Sequence, residues 1–200
     1  MSPFSSPLPA VASLRRRSGS PFVRALLVLG VIAAGGLVAI GHARAAEPGP
    51  SGLPLPRFVT TGSDRINVRV GPGERYNIAW VYVKKGTPVE IIQEFDTWRK
   101  IRDADGQEGW VHSKMLSGRR AGITAPGEAA TQVPLLSRAG DANGVRAYLG
   151  SGFRVDISKC DGDWCEVSAT THPKTGGPAT YSGYLQQAEL WGVYPDEAFD

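Results

Sequence analysis

The sequence predicts an all-β fold in which two small barrels in tandem follow an N-terminal signal helix. In the stretch 66–116, apolar runs of a few residues are separated by glycine, proline and charged residues. Within I-N-V-R-V at 66–70, apolar and polar residues alternate with the two-residue period of a strand. Four motifs of this stretch return in the same order between positions 133 and 190. Short runs between turn signals favour strands over helices, and the recurrence indicates an internal duplication.

Residues 1–45 have the layout of a secretory signal peptide. Four arginines precede an apolar run of 16 residues, Ala25–Ile40, and small residues then surround a cleavage position between Ala45 and Ala46. The apolar run is shorter than the roughly 20 residues that a membrane-spanning helix needs, which favours cleavage and release into the periplasm. The alternative is an uncleaved anchor through residues 22–42, which would hold the chain at the inner membrane, facing the periplasm.

The charge balance argues against nucleic acid as a partner. The chain has a formal charge of +3, but residues 1–45 contribute five arginines and no acidic residue. The remaining residues hold 17 basic and 19 acidic side chains, a balance of −2. The basic isoelectric point of the whole chain is therefore partly a property of the leader. The remaining residues lack the basic surplus that is expected of a nucleic-acid-binding domain.

Composition divides the exported part into two barrels and two linkers. We expect an extended, mobile Pro/Gly linker at 46–56, a first barrel at 57–120, a second linker at 121–131 and a second, degenerate barrel at 132–197. Arg57–Thr124 holds 12 basic and 8 acidic residues, whereas Val133–Asp200 holds 5 and 9. Opposite net charges on tethered neighbours suggest that the barrels dock on each other.

Four motifs of the first barrel resemble the bacterial SH3-like (SH3b) domain. In chain order they read I-N-V-R-V-G-P-G, K-G-T-P-V-E-I-I, W-R-K-I and G-W-V-H-S-K-M-L. The resemblance implies a small barrel of short strands. It implies little about function, because this fold carries many different activities.

The C-terminal segment extends the resemblance to nearly all of the exported chain. L-W-G-V-Y-P-D-E at Leu190–Glu197 is similar to a family of exported tandem SH3-like proteins of Gram-negative bacteria. Relatives in cell-wall hydrolases use such domains to hold peptidoglycan or peptides. The resemblance therefore implies a non-catalytic binding module of the cell envelope, with peptidoglycan or an envelope protein as partner and without a cofactor. A periplasmic scaffold protein and an accessory subunit of a cell-wall hydrolase remain as alternatives.

Aromatic residues of the first barrel are the candidate ligand contacts. We select Tyr76, Trp80, Tyr82 and Trp110, and we expect Trp98 and Trp164 to belong to the cores. For Trp80 and Tyr82, which alternate along one strand, the competing interpretation is that large aromatics close the end of a small barrel. A scaffold protein could use the same pair, or the Trp191–Tyr194 segment of the tail.

The two cysteines and three histidines favour a structural role over catalysis. Cys160 and Cys165 flank an Asp-Gly turn signal, and an exported chain with only these two predicts a disulfide across a hairpin. A zinc site would need further ligands, and a bonded cysteine cannot act as a nucleophile. Asp103 and Asp105 suggest a turn rather than a cation site. The sequence therefore predicts neither an enzyme nor a metal site.

Overall fold

The computed structural model describes residues 47–126 and 131–200. The expected signal helix, the cleavage position at Ala45 and Ala46 and the anchor through residues 22–42 lie outside these residues. The described part is almost entirely β-structure, and its helical elements are two short 3₁₀ turns, Ser113–Met115 and Gln187–Glu189. Within the same residues, no helix has the length and apolar character that crossing a membrane requires. The prediction of an all-β fold is confirmed.

The first sheet follows an N-terminal hairpin and curls around its own core. The hairpin consists of β1 (Glu47–Pro48) and β2 (Pro54–Leu55). The sheet has seven strands in the order β5-β4-β8-β7-β6-β3-β9. Its strands are β3 (Arg57–Thr61), β4 (Ile66–Arg69), β5 (Ile78–Tyr82), β6 (Pro88–Phe95), β7 (Trp98–Arg102), β8 (Glu108–His112) and β9 (Leu116–Ser117).

The second sheet repeats the topology of the first. Its order is β12-β11-β15-β14-β13-β10-β16, with β17 added beside β13. Each strand from β10 to β16 therefore has a counterpart seven strands earlier, which confirms two tandem barrels of one type. The strands are β10 (Arg120–Thr124), β11 (Gln132–Leu136), β12 (Val145–Gly150), β13 (Arg154–Asp161), β14 (Trp164–Thr171), β15 (Ala179–Gln186), β16 (Leu190–Trp191) and β17 (Ala198–Phe199).

Alternating burial along β4 explains why this sequence forms a half-buried strand. Ile66 and Val68 point into the first core and are at most 1% exposed, whereas Asn67 between them is exposed. Complete burial of an aliphatic side chain contributes roughly 1.5–3 kcal/mol to folding. The core of the first barrel is built from such branched residues: Ile66, Val68, Val89, Ile91, Ile101 and Val111.

One glycine in each barrel permits a very close approach of two strands. A Cβ atom added to Gly109 of β8 would lie 2.4 Å from Cγ1 of Val68 in β4. A Cβ atom added to Gly183 of β15 would lie 2.3 Å from the carbonyl oxygen of Leu136 in β11. Side chains do not tolerate such distances, so strand packing itself requires the glycine of the G-W-V motif and of its counterpart G-Y-L.

The second predicted linker, 121–131, is in part a strand. Arg120–Thr124 forms β10, which pairs with β13 and β16 and is the counterpart of β3. A Cβ atom added to Gly122 would lie 3.2 Å from Cδ1 of Ile157. The residues that resemble a flexible linker are small because the neighbouring strands leave little room. The second barrel thus includes a strand that precedes its expected start at residue 132.

The expectation of a mobile, extended linker at 46–56 is also wrong for its described part. Glu47–Pro48 and Pro54–Leu55 pair as an antiparallel hairpin. The backbone N–H and the hydroxyl of Ser51 each donate a hydrogen bond of 2.8 Å to the carboxylate of Glu94 in β6. Leu55 also packs against the first core. A Pro/Gly segment can therefore be ordered when a buried carboxylate accepts hydrogen bonds from its turn.

The two barrels pack against each other through aromatic rings. Phe58 of β3 is 8% exposed, and its ring centroid lies 5.0 Å from that of Trp191 and 4.7 Å from that of Tyr194. Both sheets belong to one compact unit. The W-G-V-Y part of the tail motif thus joins the second barrel to the first, and its Trp191 and Tyr194 rings are engaged in this contact.

Two hydrogen bonds accompany this aromatic contact. The Tyr194 hydroxyl donates to Oε1 of Glu90 at 2.9 Å, and Nε of Arg154 donates to the carbonyl oxygen of Gly86. Among the described residues, no ion pair joins one barrel to the other. The barrels dock as their opposite charges suggested, but ring packing and hydrogen bonds make the contact.

The predicted disulfide is present in the β13–β14 hairpin. Cys160 and Cys165 are register partners, their Cα atoms lie 4.1 Å apart and their sulfur atoms are bonded. In the turn between them, Oδ1 of Asp161 accepts hydrogen bonds from the backbone N–H groups of Asp163 and Trp164. These bonds lower the pKa of the Asp161 carboxyl. The disulfide therefore closes a hairpin whose turn is already hydrogen-bonded.

Candidate functional site

Each barrel carries a cleft at the same place in its fold. The first cleft has a volume of about 340 Å³ and lies between β4, the start of β7 and the turn Ser113–Met115. The second cleft has a volume of about 420 Å³ and lies between β11, the start of β14 and the turn Gln187–Glu189. The first residue of the matching strand borders the cleft in both barrels, Trp98 in one and Trp164 in the other.

Basic residues dominate the first cleft. It is bordered by Arg65, Arg69, His112 and Lys114, with Glu74 as the carboxylate among its lining residues. His112 lies edge-to-face against Trp98, with ring centroids 5.5 Å apart. Nδ1 of His112 accepts a hydrogen bond of 3.2 Å from the backbone N–H of Lys114, which leaves Nε2 as a donor in the neutral ring. The cleft thus offers positive charge and N–H donors to an anionic group.

The second cleft is mainly apolar. Leu136 occupies the register position that Arg69 holds in the first barrel, and Gln186 occupies the position of His112. Tyr148 of the edge strand β12 is 63% exposed at its border. Other apolar lining residues are Val133, Pro134 and Val145. An aromatic surface of this kind suits a sugar face or the aliphatic part of a peptide.

Tyr76 and Trp110 lie beside the first cleft. Trp110 is half-buried in β8, where it is the register partner of Arg69 and shares a strand face with His112. Nη1 of Arg69 donates a hydrogen bond of 2.7 Å to the carbonyl oxygen of Tyr76. A Cβ atom added to Gly71 would lie 2.5 Å from the Tyr76 ring, so this glycine makes room for the ring. These two of the four predicted contacts are therefore neighbours of Arg69, which lines the cleft, and their contact with a ligand stays a prediction.

Trp80 and Tyr82 lie on the opposite face of the sheet. Both are half-buried and pack against the first core, with ring centroids 6.2 Å apart. The Tyr82 hydroxyl donates to Oδ2 of Asp103 at 3.2 Å. Burial and the nearby Asp103 carboxylate raise the pKa of Tyr82, which therefore stays a neutral donor at physiological pH. The structure does not bring this pair to the first cleft.

The two tryptophans that we assigned to the cores also border the clefts. Trp98 is 9% exposed, so it belongs to the buried residues, and Trp164 is half-buried. A strand that starts at the rim of a barrel can pack one edge of its first side chain inward and leave the other at the surface. The signal for this role was present in the sequence, because each tryptophan opens the same motif in both repeats.

The basic run Arg99-Lys100-Arg102 does not form a free cationic face. Arg99 pairs with Glu94 at 3.1 Å, and Lys100 and Arg102 pair with Glu108 at 2.7 Å and 3.0 Å. Among the described residues, no cluster of His, Cys, Asp and Glu has the geometry of a metal site. Oδ1 of Asp103 instead accepts hydrogen bonds from the backbone N–H groups of Asp105 and Gln107, as a turn requires.

Comparison with known proteins connects this geometry to a family. The family model described as "Bacterial SH3 domain" matches residues 62–118 and 129–192. A Bacillus subtilis (strain 168) protein named "Putative N-acetylmuramoyl-L-alanine amidase YrvJ" is 29% identical over 146 residues. That alignment covers 66% of this chain but only 28% of the relative.

Two solved structures from Trichomonas vaginalis, NlpC2 and NlpC1, also match the chain. They are 13% and 12% identical to it over 68% and 72% of its length, with TM-scores of 0.29 and 0.30. The chain spans 48% of each of them. At these TM-scores the two structures carry no argument about this fold. Because the family model matches both barrels and more than half of the chain, the protein belongs to the bacterial SH3 domain family.

Proposed function

We propose that this protein is a non-catalytic binding module of the cell envelope that recognises peptidoglycan through its two clefts. The observation that carries the proposal is the equivalence of the clefts. Each barrel has an opening of ligand size at the same place, bordered by a tryptophan from the same repeat position. A duplicated fold that retains a cleft in both copies fits a ligand made of repeating units.

The chemistry of the clefts fits two different parts of that polymer. Peptide stems carry carboxylates, which would pair with Arg65, Arg69 and Lys114 in the first cleft. Sugar rings present apolar C–H faces, which would stack on Tyr148 or Trp164 in the second cleft. Because both barrels belong to one compact unit, binding at one cleft would raise the effective concentration of ligand at the other.

The amidase relative supports the choice of polymer. Its name assigns it an activity on the bond between N-acetylmuramic acid and L-alanine, and the shared region spans 28% of its length. We propose that the shared region binds the wall, and that this chain does so without hydrolysing it. The expected leader would deliver the chain to the periplasm, where this polymer is found.

Co-sedimentation with purified peptidoglycan sacculi tests the proposal. The full chain should sediment with sacculi at about 50 mM and at about 1 M sodium chloride, because stacking survives the screening that suppresses exposed ion pairs. The turbidity of the sacculi should stay constant. Binding only at the lower concentration would indicate nonspecific attraction, and a fall in turbidity would indicate hydrolysis. No binding at either concentration would leave an envelope protein as the partner.

Variants of the cleft residues should locate the contact. Trp110→Ala beside the first cleft and Tyr148→Ala in the second should each weaken sedimentation, and the double variant should abolish it. Tyr181→Ala is the matched control, because Tyr181 is also an exposed aromatic, at 45%, but borders neither cleft. Trp80→Ala and Tyr82→Ala test the remaining predicted contacts. Their thermal stability must be measured in parallel, since both side chains pack on the core.

A further inference from the structure

A third cleft lies between the two barrels and shares one lining residue, Lys114, with the first cleft. Its volume is about 570 Å³. The first barrel contributes the end of β3, the turn at Lys85 and Gly86 and the segment 114–119, and the second barrel contributes Arg154 and Asp156 of β13. The contact between Arg154 and Gly86 closes the cleft on one side. This site exists only because the barrels dock.

The lining of this cleft carries uncompensated positive charge. Its charged residues are Lys85, Lys114, Arg119, Arg154 and Asp156. Arg154 is already engaged, because its guanidinium pairs with Asp156 and donates to Gly86. Among the described residues, no carboxylate lies within ion-pair distance of the other three cations. The cations at 99–102, by contrast, form ion pairs with Glu94 and Glu108. Three unpaired cations of the first barrel thus line this cleft.

The arrangement of these cations favours a tetrahedral anion. Lys85 lies in the turn before β6, Lys114 in the 3₁₀ turn before β9 and Arg119 after β9, so the three cations come from separate segments of the chain. A phosphate group presents oxygen atoms in several directions and can accept from all three, whereas the two oxygens of a carboxylate lie in one plane. Leu116 is the one large apolar side chain of the lining, which otherwise consists of hydroxyl, glycine and charged residues.

We propose that the cleft between the barrels binds a phosphate group carried by a saccharide. The volume of about 570 Å³ leaves room for a sugar beside the phosphate. Both barrels line the cleft, and a lipid headgroup is the other source of the same phosphate chemistry. The site adds a second ligand class to the chain and does not depend on how the equivalent clefts bind peptidoglycan.

The test is an NMR titration of the full chain with glucose 1-phosphate. The backbone amide signals of Gly62 and Gly86 should shift in a saturable way, since both residues line the cleft. Glucose without phosphate should cause no shift, and inorganic phosphate should bind more weakly than the sugar phosphate. Equal affinity for inorganic phosphate would overturn the saccharide part of the proposal. Shifts confined to the first or second cleft would overturn the site.

Charge-reversal variants identify the cations that bind the phosphate group. The double variant Lys85→Glu and Arg119→Glu should weaken binding at least about tenfold, because it removes two charge-assisted hydrogen-bond donors and adds repulsion. Lys114 is left unchanged because it also borders the first cleft. The control, Lys159→Glu with Lys174→Glu, makes the same charge change at exposed positions away from the cleft. Equal loss of binding in the control would overturn the proposal.

A milder charge variant and a vesicle-binding experiment complete the test. If the charge-reversal variant fails to fold, Lys85→Gln with Arg119→Gln removes the same cations with less repulsion and should also weaken binding. Vesicles of phosphatidylglycerol and phosphatidylcholine in equal parts test for a membrane. Recruitment to these vesicles that depends on Lys85 and Arg119, without binding of glucose 1-phosphate, would overturn the proposal in favour of a lipid surface.

Discussion

Glu94 is a buried carboxylate that holds three parts of the first barrel together. Its side chain is 1% exposed, and it pairs with Arg57 at 2.7 Å and Arg99 at 3.1 Å. It also accepts two hydrogen bonds from Ser51 of the N-terminal hairpin. Burial alone would raise the pKa of this carboxyl, but the hydrogen bonds from Arg57 and Ser51 and the charge of Arg99 lower it. Glu94 is therefore ionised at neutral pH and fully coordinated.

Removing this carboxylate should be costly. Glu94→Ala leaves two partly buried guanidinium groups without their partner, so we expect the free energy of unfolding to fall by about 3 kcal/mol. The control is Glu108→Ala, which removes a carboxylate that is 34% exposed and pairs with Lys100 and Arg102. An exposed pair contributes less than about 1 kcal/mol. Urea denaturation of both variants measures the difference, and equal losses would contradict this account of Glu94.

The β13–β14 hairpin of the second barrel is held by strand pairing and by the disulfide. Cys160 and Cys165 are 2% and 0% exposed, so the disulfide is part of the core as well as a covalent closure. It joins β13 to β14 at the same place where the tail strand β17 pairs with Cys160. Opening the disulfide should therefore loosen both the hairpin and the tail.

Reduction tests the contribution of the disulfide. The closed loop is short, so the loop-entropy model gives a loss of about 2 kcal/mol in the free energy of unfolding. Guanidinium denaturation of oxidised and reduced chain measures the loss. The double variant Cys160→Ala and Cys165→Ala should match the reduced chain and should no longer respond to reductant. A variant as stable as the oxidised chain would show that packing alone maintains the hairpin.

The strands could be predicted where their residues alternate, and they were missed where packing made their residues small. The motif around Val68 has the two-residue period, and it forms β4 as expected. Arg120–Thr124 has Ala121 and Gly122 in place of large apolar residues, and a Cβ atom at Gly122 would already make close contacts with β13 and β16. The hairpin at 47–55 was missed for a different reason. Its order depends on Glu94, which is distant in the sequence.

At the scale of the whole molecule, Phe58 is the central contact between the barrels. Its ring packs against Trp191 and Tyr194 of the tail. Phe58→Ala should uncouple the barrels, so that thermal unfolding changes from one cooperative transition to two. Small-angle scattering should show a larger radius of gyration at the same time. The control is Phe95→Ala, because Phe95 is 58% exposed. Two transitions in the unaltered chain would contradict the docking.

The tail should respond to acid through Glu197. Burial would raise the pKa of this carboxyl, but hydrogen bonds from Arg120 and from the backbone N–H of Tyr194 bring it below its ordinary value of 4.5. The unfolded chain therefore binds this proton more readily than the folded chain. The stabilising contribution is complete above about pH 4.5 and is lost as the pH falls through the lower, folded pKa.

A variant isolates this carboxyl from others that titrate in the same direction. Glu197→Gln should be less stable than the unaltered chain at pH 7, and the difference in melting temperature should shrink as the pH falls below about 4.5. Glu94, Glu108 and Asp161 also have lowered pKa values, but they titrate in both proteins and cancel in the comparison. A difference in melting temperature that is independent of pH would assign the loss to packing.

The docking and the clefts were the least predictable features of this molecule. The sequence identified the aromatic residues, but it could not say which edge of each ring meets solvent. Trp80 lies in a strand with apolar residues on both faces, so the pattern does not say which face is core; it packs on the core, while Trp98 is largely buried and still borders a cleft. Such outcomes depend on contacts between strands that are far apart in the chain, and periodicity does not report these contacts.

The indole signals of the five tryptophans test the central claim most directly. We would titrate the full chain with a soluble disaccharide–peptide fragment of peptidoglycan and follow the indole N–H resonances by NMR. We expect the signals of Trp98, Trp110 and Trp164 to shift, because these residues border or flank the equivalent clefts. Trp80 and Trp191 should not shift, since they pack on the core and between the barrels. No shift, or shifts only in the latter pair, would contradict peptidoglycan recognition through the clefts.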